Sequence, residues 1–132
     1  MHRKHYFTTV LALIASFAFS ARAADTHGHD HDHRPLHGGI VAEAGDLNYE
    51  LVAKPDSLTI YVVDHGKPVA TSGARGTATV HSGSEKLAAV LEPAGENRLA
   101  AKGSFKLGVG VRVAASVALA GKPEVKLNFR LK

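Results

Sequence analysis

Residues 109–131 read Val109-Gly-Val-Arg-Val-Ala-Ala-Ser-Val-Ala-Leu119, then Ala120-Gly-Lys-Pro123, then Glu124-Val-Lys-Leu-Asn-Phe-Arg-Leu131. Val109, Val111, Val113, Ala115, Val117 and Leu119 recur at every second position. So do Val125, Leu127, Phe129 and Leu131, which alternate with Lys126, Asn128 and Arg130. Successive side chains of an extended strand point to opposite faces, so each run presents one apolar and one polar or small face. Gly121-Lys-Pro123 between them supplies turn chemistry, and the pair is predicted to form a C-terminal hairpin.

The same two-residue period extends back along the chain. Leu47, Tyr49 and Leu51 share a face, as do Leu58, Ile60 and Val62. The alternation predicts strands at 39–44, 47–53, 57–63, 76–81, 86–92, 98–101, 109–119 and 124–131. Ala44-Gly-Asp46, Lys54-Pro-Asp-Ser57, Asp64-His-Gly-Lys-Pro68, Ser82-Gly-Ser84 and Pro93-Ala-Gly-Glu-Asn97 read as turns between them. Residues 85–91 offer at most a turn or two of helix, and Val90 and the short gap to Pro93 favour a strand. Short strands with turns every 8 to 12 residues predict an all-β fold. Its expected form is an antiparallel β-sandwich of immunoglobulin-like size over residues 38–132, with a small barrel as the alternative.

The first 23 residues have a different character. A basic start, Met1-His-Arg-Lys-His5, leads into the apolar Val10–Phe19 and then Ser20-Ala-Arg-Ala23, whose Ala21-x-Ala23 is a small-residue cleavage pattern. This reads as a secretory signal peptide cut before Ala24, because the apolar stretch is shorter than the roughly 18 residues of a membrane span. The expected destination is a bacterial periplasm. The whole chain has 16 Lys plus Arg against 12 Asp plus Glu. Arg3, Lys4 and Arg22 belong to the leader, so 13 basic residues face 12 acidic ones in the remainder, a net +1. The basic pI therefore says little about affinity for nucleic acid. With no cysteine, thiolate nucleophiles, disulfides, iron–sulfur clusters and Cys zinc sites are all excluded.

Residues 24–37 form a polar segment whose only bulky apolar side chain is Leu36, too little to offset the entropy of ordering it. It is read as a flexible tail. His27, His29, His31, His33 and His37 fall within eleven residues, interleaved with Asp25, Asp30 and Asp32. Imidazole is the commonest side-chain ligand of borderline divalent metals, and carboxylates complete or support the shell. The segment is thus a candidate metal site formed by His27, His29, His31, His33, His37, Asp30 and Asp32, with Asp64, His65 and His81 as weaker candidates. The only Met is Met1, so the soft donors that select Cu(I) are missing, and the candidates are Zn, Cu(II), Ni and Co.

Catalysis has no positive sign. There is no Gly-x-Gly-x-x-Gly after a strand, no His-Glu-x-x-His and no Gly-x-Ser-x-Gly, and Glu43, Asp46, Glu50 and Asp64 read as surface-solvating carboxylates. The chain is read as a non-enzymatic metal-binding protein. Two other classes are weighed beside it. One is a cell-envelope protein-interaction module with an incidental His-rich leader. The other is a small hydrolase built on His65 or His81 with a carboxylate.

One stretch carries a family likeness. His33-Arg-Pro-Leu-His37-Gly-Gly-Ile-Val-Ala-Glu-Ala-Gly-Asp-Leu-Asn-Tyr-Glu-Leu-Val-Ala-Lys-Pro-Asp56, followed by Leu58-Thr-Ile-Tyr-Val-Val-Asp-His-Gly-Lys-Pro-Val69, resembles a small family of secreted bacterial proteins associated with heavy-metal efflux. It is also similar to the His-rich, HGG-containing N-terminal region of periplasmic adaptor subunits of RND metal pumps. The resemblance implies a small β-domain and a periplasmic accessory role in metal efflux, with such an adaptor as a partner. The adaptor's helical hairpin, lipoyl-like and barrel domains have no counterpart in the sequence.

Overall fold

The computed structural model describes residues 34–132. The predicted signal peptide and the candidate ligands His27, His29, Asp30, His31, Asp32 and His33 lie outside the described residues. Nine strands follow in order: β1 (Ile40–Ala44), β2 (Leu47–Lys54), β3 (Ser57–Asp64), β4 (Lys67–Pro68), β5 (Arg75–Ser82), β6 (Glu85–Pro93), β7 (Arg98–Lys102), β8 (Arg112–Ala118) and β9 (Val125–Arg130). All eight predicted strands are present, but the one predicted from Val109 begins only at Arg112, and Val109, predicted on its apolar face, is in a turn and 87% exposed. The two-residue β4 is an addition, in a stretch that reads as a turn because Gly66 and Pro68 punctuate it.

Turn length decides which strands become neighbours. Ala44 pairs with Leu47, Lys54 with Ser57, Asp64 with Lys67 and Ser82 with Glu85, each across a two-residue loop that leaves the chain no choice but to pair back on itself. Longer connections carry it across the molecule. The resulting path is β1-β2-β3-β7-β6-β5-β8-β9, with every pairing antiparallel and β4 beside β3. At the two ends of the path β1 and β9 lie against each other. The all-β antiparallel class is as the alternation predicts, and the architecture is a nearly closed eight-stranded barrel. Alternation tells which face a residue occupies but not how far a sheet curls, so the pattern alone left sandwich and barrel open.

The inward residues fill the interior as a single cluster. Tyr49 and Leu51 come from β2, Leu58, Ile60 and Val62 from β3, Leu99 from β7, Ala78 and Val80 from β5, Val113 and Val117 from β8, and Leu127 and Phe129 from β9. Phe105, on the crossing from β7 to β8, is buried with them, and its amide donates to Pro55 O at 2.7 Å. Two buried polar side chains fix the long connections. Thr71 donates from Oγ1 to Arg98 O at 2.7 Å, and Asn97 donates from Nδ2 to Val62 O at 3.1 Å. Both silence polar atoms that would otherwise be costly to bury. Among the described residues no helix is long and apolar enough to cross a membrane.

Ile60 is fully buried at the centre of β3, whereas Thr77 is exposed on the outer face of β5. Ile60→Ala should lower the unfolding free energy by about 2–5 kcal/mol, while Thr77→Ala should change it by no more than about 0.5 kcal/mol. Urea unfolding curves of the two variants check this.

Candidate functional site

Glu50 occupies the middle of β2 between the inward Tyr49 and Leu51, so its side chain points to the outer face. It is nonetheless only 3% exposed. The reason is the chain just before β1. Residues 36–39 fold over the outer face, and the Glu50 carboxylate accepts from four of their N–H groups. Leu36 N donates to Oε1 at 2.9 Å, His37 N and Gly39 N to Oε2 at 2.8 Å each, and the His37 ring Nδ1 to Oε1 at 2.9 Å. The reading of Glu50 as a surface-solvating carboxylate is therefore corrected: it is a buried clamp holding the end of the His-rich segment to the barrel.

Two glycines make the clamp possible. Gly38 has φ +72°, the left-handed region that a side chain disfavours. A Cβ on Gly39 would sit 2.2 Å from the carbonyl oxygen of Leu51, so only glycine lets β1 approach β2 there. The His37-Gly-Gly39 run is thus a backbone requirement as well as a ligand candidate.

The electrostatics follow from the donors. Burial alone would raise the Glu50 carboxyl, but the bonds from the His37 ring and from the Gly39, His37 and Leu36 amides outweigh it, and the group is held below the usual carboxylate range. An ionised carboxylate only accepts, so His37 Nδ1 carries the proton. In the neutral ring the lone pair is left on Nε2. The ring lies flat on Tyr61, with centroids 3.6 Å apart and planes 8° apart, and its side chain is 39% exposed. His37 is therefore oriented on one side and open on the other.

The other candidates are spread out. Asp64 and His65 sit at the β3–β4 loop, where His65 (φ +48°) and Gly66 (φ +81°) both adopt left-handed conformations, as a two-residue type I′ turn requires. His65 Nδ1 is bonded to Asp64 Oδ1 at 2.5 Å. Gly66 lines one small hollow with Arg34, Leu36, Val41, Asn48, Glu50 and Val63. Arg34, the first described residue, therefore lies on the side of that turn. His81 lies elsewhere: β3 runs towards His65 and β5 in the opposite sense towards His81, which puts the two at opposite ends of the barrel. The groove at His81 is lined by Gly83, Gly110, Arg112, Ala114 and Asn128, with no carboxylate. Among the described residues no three His, Cys, Asp or Glu side chains come together as a metal cluster.

Glu50→Gln replaces one carboxylate oxygen with an NH2 group, setting a donor against donors. The variant should lose about 2–3 kcal/mol of stability. A carboxyl whose pKa is lowered on folding contributes in full above its unfolded pKa, and that contribution fades as pH falls through the lower folded value. Acid unfolding of the native chain should therefore steepen below the ordinary Glu range and be flatter in Glu50→Gln, as followed by circular dichroism against pH. No known protein family, curated protein or solved structure is significantly similar to the chain.

Proposed function

We propose that this protein is exported to the periplasm and binds a divalent transition metal, Zn, Cu(II), Ni or Co. The ligands would come from His27, His29, Asp30, His31, Asp32 and His33, with His37 as the one anchored to the barrel. Its role would be accessory to heavy-metal efflux, buffering the ion or passing it to the adaptor of an RND pump. The observation that carries the reading is the Glu50–His37 pair. A carboxylate on Nδ1 that leaves Nε2 open is the arrangement that orients metal-binding histidines and raises their basicity. Asp64 and His65 stand next to Gly66, which shares a hollow with Arg34, Leu36 and Glu50, and are kept as weaker candidates. His81, the other weaker candidate, lies at the opposite end of the barrel from His65. The efflux partner rests on the resemblance of the His37-Gly-Gly39 and Tyr49-Glu-Leu51 stretches.

The interaction-module reading keeps one observation in its favour. β6 pairs with β7 only through Glu92 and Pro93, so from Glu85 to Leu91 its second edge meets no described strand. Leu87 and Val90 on that strand are 44% and 65% exposed. An open edge with apolar side chains is a place where another chain can add a strand.

Competition titration with a Zn(II) indicator separates the two. Removing residues 25–33 should abolish most of the binding, and Glu50→Gln, with His37 kept but unanchored, should weaken what the full chain binds by about tenfold. Undiminished binding without residues 25–33 would overturn the metal reading. A protein retained in a pull-down equally well with and without chelator would favour the interaction module.

A further inference from the structure

The outer face of β5, β6, β8 and β9 lies on the barrel wall away from the His37 clamp. Registers across these four strands put outward side chains in rows. One row is Lys86, His81, Arg112 and Arg130; the next is Ala88, Thr79, Ala114 and Asn128; the third is Val90, Thr77, Ser116 and Lys126. The three rows hold four Lys or Arg residues, one His and no carboxylate. Like charges directly opposite on neighbouring strands repel, so the Arg112–Arg130 pair is a cost that the fold itself does not need. Lys86, Arg112 and Arg130 are exposed and form no ion pair with a described residue. Glu85, next to Lys86 in the chain, is paired with Lys106 at 2.8 Å.

Between the long cations the floor is made of small side chains. Ala114 and the glycines 83 and 110 leave an open groove of about 480 Å³, into which His81, Arg112 and Asn128 also project. Every polar side chain lining it can donate a hydrogen bond, and the paired guanidinium forks match tetrahedral oxyanions better than ammonium groups do. We infer that this groove binds a phosphate group, with Arg112 from its lining and Arg130, which faces Arg112 across the β8–β9 register, as charge-assisted donors, Lys86, opposite His81 in register, as a third cation, and His81 and Asn128 as further donors. The group can arrive as a free phosphate or as the headgroup of an anionic lipid, and the chemistry of recognition is the same. The site shares no residue with the proposed metal site, so either stands if the other fails.

The test uses the full chain stripped of metal, with inorganic phosphate titrated in one arm and vesicles of phosphatidylcholine with and without phosphatidic acid in the other. Amide shifts in heteronuclear NMR report the first arm and co-sedimentation the second. The variant is Arg112→Gln with Arg130→Gln, both exposed positions, and the control is Lys54→Gln with Lys102→Gln, which removes the same charge from strands β2 and β7. Shifts confined to β5, β8 and β9, weakened at least about tenfold in the arginine variant and little in the control, support the site with free phosphate as its source. Binding only to the phosphatidic acid vesicles, with the same variant pattern, supports it with a headgroup as the source. No binding in either arm, or equal losses in the variant and the control, overturns it.

Discussion

In a sheet that curls until its first and last strands meet there is a single interior, and the two-residue period of each strand decides on which side of the wall every side chain stands. The rest of the molecule follows from that constraint. Tyr49, Ile60, Leu99, Val113 and Phe129 go inward because their neighbours are polar or small, and together they form one apolar cluster. Chemistry is thereby confined to the outer wall. It is found there in two places of opposite character: a buried carboxylate on β2 covered by the chain's own N-terminal segment, and a row of uncompensated cations across β5, β6, β8 and β9.

Much of this was legible in the sequence, and what was not has identifiable causes. The eight long strands were readable from alternation, and their turns from Gly, Pro and Asp at the right offsets. Barrel closure was not, because a hydrophobic period names a face and says nothing of which strand lies alongside. β4 was hidden because a strand of two residues has no period. Glu50 was misread for a subtler reason: a charged residue at an outward position looks solvated until something folds over it. The clue lay fourteen residues upstream of it, in a Leu36-His-Gly-Gly39 run whose glycines have no turn to serve unless the chain closes on a neighbour. The cation row was hidden for another reason: Arg112 and Arg130 face each other across the C-terminal hairpin, but Lys86 joins them only through the pairing of β5 with β8, strands distant in sequence.

The charge balance acquires a different meaning once residues have positions. A net +1 outside the leader argues against a strongly basic protein, yet that near-zero sum is compatible with charges sorted by face. The ionised Glu50 is covered by the strap of residues 36–39, whose N–H groups hydrogen-bond it, and Glu85 is paired with Lys106. Those contacts take acids out of play rather than placing them among the cations of the opposite wall. Local field, not total charge, governs which small ions gather at a surface.

The clamp also bears on how a metal would be held. A flexible chain of histidines gains little by donating several ligands if each must first be ordered, because every ordered residue costs on the order of 1–2 kcal/mol. His37 has met that cost beforehand: its own amide and those of Leu36 and Gly39 are tied to Glu50, its ring contacts both Glu50 and Tyr61, and Nδ1 is already committed. One fixed ligand gives the remaining ligands a place to gather around, while leaving them free to depart one at a time. A cation on Nε2 would draw electron density from the ring and strengthen the Nδ1–H bond to Glu50, so occupancy and the seating of the strap would favour each other. By the same linkage, ligand binding to the folded form adds to its stability in proportion to the logarithm of saturation. Were a metal bound at Nε2, the ordering of that ligand would already be met by the barrel wall that holds His37.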